Sequence, residues 1–251
     1  MNSTNKLLSL NNISKTYHSI HGETKALDNI SFDLYKNEFI GIIGPSGCGK
    51  SSILNIISSL ETEYSGNISI KDNITIGYML QDACLFPWLT IYDNAILGLK
   101  ISKKLNDNTK DFTINLLIKY GLYSFKDKYP NELSGGMKQR LALIRTLACN
   151  PDILLLDEPF GALDYQTRLK VSNDVYNIIK EEQKTVLIVT HDISEAISMC
   201  DKIIVLSNRP AVIKNIHTIT LQDKKGPIEN RKDPLFREYY DLIWKEIDNN
   251  E

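Results

Sequence analysis

Apolar positions along this chain fall into three patterns. Residues 7–17 and 26–35 alternate apolar with polar side chains, the period of strands in an antiparallel sheet. Residues 18–23 between them predict a turn. Residues 39–43, 153–156, 185–189 and 203–206 are continuous apolar runs of strand length, as expected of parallel strands covered on both faces. Residues 68–70 and 74–78 predict two more short strands. Helical spacing marks residues 51–57, much of the more polar stretch 90–132, and the segment from Ser134 that carries Met137, Leu141, Ile144 and Leu147. Residues 101–108 are the most linker-like and predict a connection between two helices. Residues 234–247 predict a terminal amphipathic helix. Strands alternating with helices in the second half imply a parallel sheet.

The chemistry sits at the ends of these elements. Gly44-Pro45-Ser46-Gly47-Cys48-Gly49-Lys50-Ser51 follows the apolar run 38–43 and opens a helix, matching the phosphate-cradling pattern G-x-x-x-x-G-K-[ST]. Glycines there let several backbone N–H groups face one concavity at a helix N-terminus, where the dipole favours anions. Lys50 supplies a cation for the β- and γ-phosphates, and the Ser51 hydroxyl is placed to ligate Mg²⁺. Cys48 lies among these amides and near Lys50, surroundings that lower a thiol pKa. That predicts a reactive Cys48 whose alkylation blocks nucleotide binding and is slowed by ATP.

Leu133-Ser134-Gly135-Gly136-Met137-Lys138-Gln139-Arg140 places two glycines at a second helix start, a second anion site on the same chain. Asp157 and Glu158 end the apolar run 153–156. Adjacent carboxylates at a buried strand end both cost desolvation, and a metal ion plus a general base accounts for the pair.

With Gln81 after a strand, His191 after another and Ala162-Leu163-Asp164 between them, these motifs resemble the nucleotide-binding subunit of an ABC transporter. The resemblance covers residues 8–247, with Met137 where the signature more often has glutamine. It implies an α/β fold with a P-loop NTPase-type mixed sheet core, an antiparallel β subdomain and a helical subdomain. The whole of 1–251 is then one domain: a core at 1–89 and 150–220, the helical signature subdomain at 90–149, and a C-terminal extension at 221–251.

The resemblance further implies two ATP molecules sandwiched in a head-to-tail dimer, most simply a homodimer. Each lies between Gly44–Ser52 of one subunit and Ser134, Gly135 and Gly136 of the other. Tyr17 corresponds to the aromatic that stacks on adenine. Ser51, Asp157 and Gln81 correspond to the Mg²⁺ ligands, and Ser52 extends the phosphate contacts. Glu158 corresponds to the residue that orients and deprotonates the attacking water, with His191, Gln81 and Lys50 beside the γ-phosphate. Asp164 corresponds to the loop coupling the two sites.

Residues 81–90 and 206–210 resemble importers of the nitrate, sulfonate, taurine and bicarbonate group, with Ala83 and Ala211 departing from its usual proline and glycine. Partners implied are polytopic membrane permease subunits and, indirectly, an extracytoplasmic solute-binding protein. Apolar Phe86, Trp88 and Leu89 beside Gln81 suit a groove for a partner helix. A soluble ABC ATPase of scaffold or assembly type is the alternative. A DNA-maintenance ATPase with a long coiled coil is disfavoured, because only 84 positions separate Lys50 from Ser134.

Bulk properties agree. A net charge of −2 over 251 residues argues against a nucleic-acid partner held by a basic surface. Residues 1–6 lack the apolar core of a signal peptide, and no run is long enough to cross a bilayer. A peripheral protein on the cytoplasmic face of the membrane is expected. The four cysteines are far apart and form no C-x-x-C pair, which predicts reduced thiols.

Overall fold

The computed structural model describes residues 5–20, 22–161, 163–222 and 225–248. Strands β1 (Lys6–Ser19) and β2 (Gly22–Tyr35) pair antiparallel, and β4 (Ser65–Ile70) joins the other edge of β1. The turn predicted at 18–23 is shorter than expected. The β1–β2 ladder continues to Ser19 opposite Gly22, and His21 lies outside the described residues.

A second sheet has six strands in the order β5-β6-β7-β3-β8-β9. They are β3 (Phe39–Ile43), β5 (Ile76–Met79), β6 (Ile153–Asp157), β7 (Thr185–Val189), β8 (Lys202–Leu206) and β9 (Ile213–Thr218). The first five run parallel, and β9 closes the edge antiparallel to β8.

Helices α1 (Lys50–Ile57), α4 (Gly135–Ala148), α5 (Tyr165–Glu181) and α6 (Ile193–Met199) follow or connect these strands. Between β5 and α4 stand α2 (Ile91–Ile101) and α3 (Asp107–Lys119), joined at the predicted linker. A short α7 (Pro227–Asn230) and the terminal α8 (Pro234–Asp248) complete the chain.

The continuous apolar runs have a direct cause. Successive side chains of a strand face opposite sides, and both sides of the six-stranded sheet are covered. Phe39, Ile43, Leu154, Leu156, Val186 and Ile188 pack with α4, α5 and α6. Ile40, Ile42, Ile153, Leu155, Leu187 and Val189 pack with α1 and with Leu8, Leu10, Ile30 and Leu34 of the antiparallel sheet. Chemistry-bearing loops therefore leave the carboxyl ends of β3, β6 and β7 side by side, where open α/β sheets bind ligands.

Candidate nucleotide site

Between β3 and α1 the chain makes the predicted loop. Gly49 caps α1 at φ 123°, a conformation L side chains rarely adopt. A Cβ there would lie 2.9 Å from Leu27 Cδ2, so the antiparallel sheet presses directly on the loop. Lys50 is buried, and its ammonium donates to the carbonyls of Gly44 and Pro45, both at 2.9 Å. Ser46 and Gly47 are exposed at the rim.

Cys48 departs from expectation. Only 2% of it is exposed, and burial pushes its thiol up despite the opposing charge of Lys50. It is a packed side chain whose backbone, not whose sulfur, belongs to the loop, and this burial runs against the expected reactive thiol.

Ser51 and Asp157 meet as the motifs imply. The Ser51 hydroxyl donates to Asp157 Oδ1 at 3.1 Å. Burial raises the Asp157 pKa, the Glu158 charge adds to this, and the hydrogen bonds from Ser51 and Tyr78 oppose it. Tyr78 was assigned no role by sequence reasoning. Its hydroxyl lies 3.2 Å from Asp157 Oδ2 and 3.1 Å from Asn55 Oδ1, and burial beside Asp157 raises the phenol pKa. A hydroxyl and a carboxylate side by side are hard oxygen donors, the set that suits Mg²⁺ completed by phosphate oxygens and water. Among the described residues no cluster of three His, Cys, Asp or Glu offers a competing metal site.

Glu158 stands one residue on, with φ 41°. A non-glycine residue there is strained by about 1 kcal/mol or more, and such strain gathers at functional sites. Its amide donates to the Val189 carbonyl at 2.8 Å, tying it to the end of β7. Two predicted residues converge on one carboxylate oxygen: Gln81 Nε2 donates to Glu158 Oε2 at 3.4 Å, and His191 Nδ1 lies 3.1 Å from it. Gln81 thus contacts Glu158 rather than the Ser51–Asp157 pair. Gln139, buried in α4, donates to the Gln81 carbonyl at 3.4 Å and links the signature helix to this loop.

Tyr17 is 37% exposed and donates to the Ser52 hydroxyl at 3.0 Å, which places the ring beside the start of α1. The Lys15 ammonium sits 4.7 Å from the ring centre.

Ser134, Gly135 and Gly136 are not brought to the phosphate loop. Ser134 caps α4 and accepts from the Met137 amide. A Cβ on Gly136 would lie 2.9 Å from Val171 of α5, and one on Gly135 would lie 3.2 Å from Leu163, so this helix start packs on the segment carrying Asp164. Asp164 caps α5, and its hydrogen bonds from Thr167 lower its pKa. Ala162 lies outside the described residues.

Beyond Gln81, buried Asn94 organises the chain. Its amide donates to the carbonyls of Phe86, Leu89 and Thr90, and its Oδ1 accepts from the Phe86 amide. Phe86 and Trp88 make an edge-to-face pair at 5.2 Å, with Trp88 70% exposed, whereas Ala83 and Leu85 pack on the core.

This geometry defines a P-loop nucleotide hydrolase with a second, outward-facing glycine-rich helix start. The family model for ABC transporters matches residues 27–161. An ABC transporter ATP-binding protein of Bacillus subtilis, YtlC, is 46% identical, with 97% of this chain and 96% of that protein covered. The nitrate import ATP-binding protein NrtD of Synechocystis is 36% identical over 94% of this chain and 93% of its own length. The aliphatic sulfonates import ATP-binding protein SsuB of Bacillus cereus is 39% identical over 83% of this chain and 84% of its own. A solved dimeric ATP-binding cassette, MJ0796 in a post-hydrolysis state with ADP and Pi, superposes with a TM-score of 0.72 at 32% identity, covering 85% of this chain and 99% of that one. The chain belongs to the ABC transporter family and has the fold of its ATPase cassettes; it binds and hydrolyses ATP.

Proposed function

We propose that this chain energises an importer for a small solute, an anion such as nitrate, a sulfonate, taurine or bicarbonate. Similarity to a nitrate import ATP-binding protein along 94% of the chain carries this reading. The exposed Phe86–Trp88 pair, held by Asn94 just beyond Gln81, supports it as the surface a permease helix would cover. No helix among the described residues is long and apolar enough to cross a membrane, so the pore would belong to separate polytopic subunits, with this chain on their cytoplasmic face. A solute-binding protein would deliver the cargo from the other side.

In this reading two chains pair head to tail. Amides of residues 44–52 cradle the phosphates of one ATP, and Tyr17 stacks on its adenine. Ser134, Gly135 and Gly136 of the second chain close the site. Ser51 and Asp157 would hold Mg²⁺; the ion, when bound, would neutralise charge on the β- and γ-phosphates. Lys50 turns from the loop carbonyls to those phosphates. Glu158 accepts a proton from the attacking water, held in place by Gln81 and His191, and His191 then faces the γ-phosphate. Most of the rate gain comes from positioning and fixed charge. Asp164 relays closure between the two sites, and the helical stretch 90–149 moves with Gln81 through Gln139.

Co-expression with candidate polytopic permease subunits tests this. The pair should co-purify from membranes, and transported solute plus binding protein should stimulate ATP hydrolysis. Hydrolysis with no membrane partner in any pull-down would favour a soluble assembly-type ATPase.

A further inference from the structure

The turn between β8 and β9 sets a guanidinium on the rim of the phosphate loop. Arg209 Nε donates to the Gly47 carbonyl at 3.1 Å, and Nη2 of the same side chain donates to that oxygen as well. Gly47 has φ 72°, so no side chain of its own restrains the peptide that follows it. That peptide is planar and trans, so its C=O and N–H point in opposite directions. With that carbonyl held by Arg209, the Cys48 N–H is turned the opposite way, where it donates to the Pro45 carbonyl at 3.3 Å and closes the loop.

The anchor itself is rigid. Ala211, fully buried, bridges to Leu27 of β2; the Asp28 amide donates to the Ala211 carbonyl, and the Ala211 amide donates to the Ala26 carbonyl, both at 2.9 Å. The Ser207 amide donates to the Val212 carbonyl at 3.0 Å, pinching the turn. Leu206 meets the other end of the loop, 3.1 Å from where a Cβ on Gly44 would stand. The hairpin thus grips the loop at Gly44 and at Gly47, while Leu27 meets it at Gly49. Of these three contacts the one at Gly47 is a hydrogen bond from an exposed side chain, so its loss leaves the core intact.

We propose that Arg209 is a positioning residue for the triphosphate: it pre-forms the phosphate loop by holding the Gly47 carbonyl out of the anion cradle. The proposal rests on the reading of residues 44–51 as that cradle. A pre-formed cradle lowers the ordering cost of binding and acts on ground state and transition state alike, which is the signature of a KM effect.

Steady-state ATPase kinetics on the purified chain, or on its complex with the permease, test this with Arg209→Ala, Arg209→Lys and Lys50→Ala. A charged hydrogen bond at an exposed rim predicts that Arg209→Ala raises KM for MgATP about 5- to 10-fold, with kcat falling less than about twofold. Arg209→Lys, which keeps the charge and one donor but not the fork, should recover part of the KM. Thermal melting without nucleotide should match the wild type. An unchanged KM in Arg209→Ala overturns the proposal, as does a loss of kcat and KM together with a lowered melting temperature. Lys50→Ala should lose nucleotide binding. Wild-type affinity in that variant would remove the cradle reading and the proposal with it, whereas wild-type affinity in Arg209→Ala alone removes only the proposal.

Discussion

The Tyr78 hydroxyl lies 3.2 Å from Asp157 Oδ2, on the side of the carboxylate away from Ser51, which bonds Oδ1. One oxygen is thus held by the loop helix and the other by β5. Partners of this kind aim a metal-binding carboxylate, and their removal typically costs 10- to 100-fold in metal affinity or activity. Tyr78→Phe keeps the ring and its packing and deletes only the hydroxyl. We expect the Mg²⁺ concentration for half-maximal ATPase activity to rise about 10-fold, with Mg²⁺-free nucleotide binding unchanged. Identical Mg²⁺ titrations would show that Tyr78 only fills space.

Glu158 is strained and receives both Gln81 and His191 on one oxygen. Glu158→Gln preserves shape but removes the base. Turnover should fall about 10²- to 10⁴-fold while ATP binding persists, and the protein should accumulate as a nucleotide-bound dimer. Hydrolysis assays beside light scattering with MgATP decide it: wild-type turnover would remove Glu158 from its role.

Ser134 is exposed and caps α4 rather than bonding to its own phosphate loop, so its proposed partner is another molecule. Ser134→Arg, placed in the Glu158→Gln background, should bind ATP as a monomer and fail to dimerise. Scattering mass with and without ATP reads the result; a dimer of undiminished yield would refute the sandwich.

Thiol reactivity should follow burial. Cys84 is exposed, Cys149 is half-buried with its thiol raised by burial, and Cys48 is buried with its thiol likewise raised. A maleimide pulse mapped by mass spectrometry should label Cys84 first, Cys149 more slowly, and Cys48 only under denaturing conditions. Rapid native labelling of Cys48 would restore the reactive-thiol expectation.

These cases mark what the chain discloses before it folds. Buried strands such as β3, β6 and β7 were legible because burial on both faces leaves an unbroken apolar run. Glycine loops and the Asp157–Glu158 pair were legible because their chemistry is local in sequence. Edge strand β9 was not: its side chains are largely exposed, and Asn215 and His217 face Glu246 of α8, about thirty positions away. Tyr78 and Arg209 lie in the segments 74–78 and 206–210, whose local pattern shows no role for them, since their partners lie 79 and 162 positions off. Cys48 follows the same rule. Local sequence revealed its cationic neighbour but not the burial that outweighs it.

Glu195 offers a test of that last principle at a second buried acid. It sits wholly inside the protein at the start of α6, accepting from the Thr190 hydroxyl at 3.3 Å, with Oε1 unpartnered. Burial, then the Asp192 charge, pushes its pKa from 4.5 up to about 8, against the attraction of Arg168 and Arg231. A raised folded-state pKa means the carboxyl is tolerated neutral. Its stability is fully present below about 4.5, where the unfolded chain also holds the proton, and is lost as pH climbs through about 8. Glu195→Gln is neutral at every pH and escapes that loss. The two proteins should melt together near pH 4.5, and the variant should gain with rising pH, by on the order of 5 kcal/mol once both titrations are complete. Melting curves between about pH 5 and 9 measure the gap; a gap that stays constant or shrinks would mean that Glu195 is ionised in the fold and paired with Arg168 or Arg231.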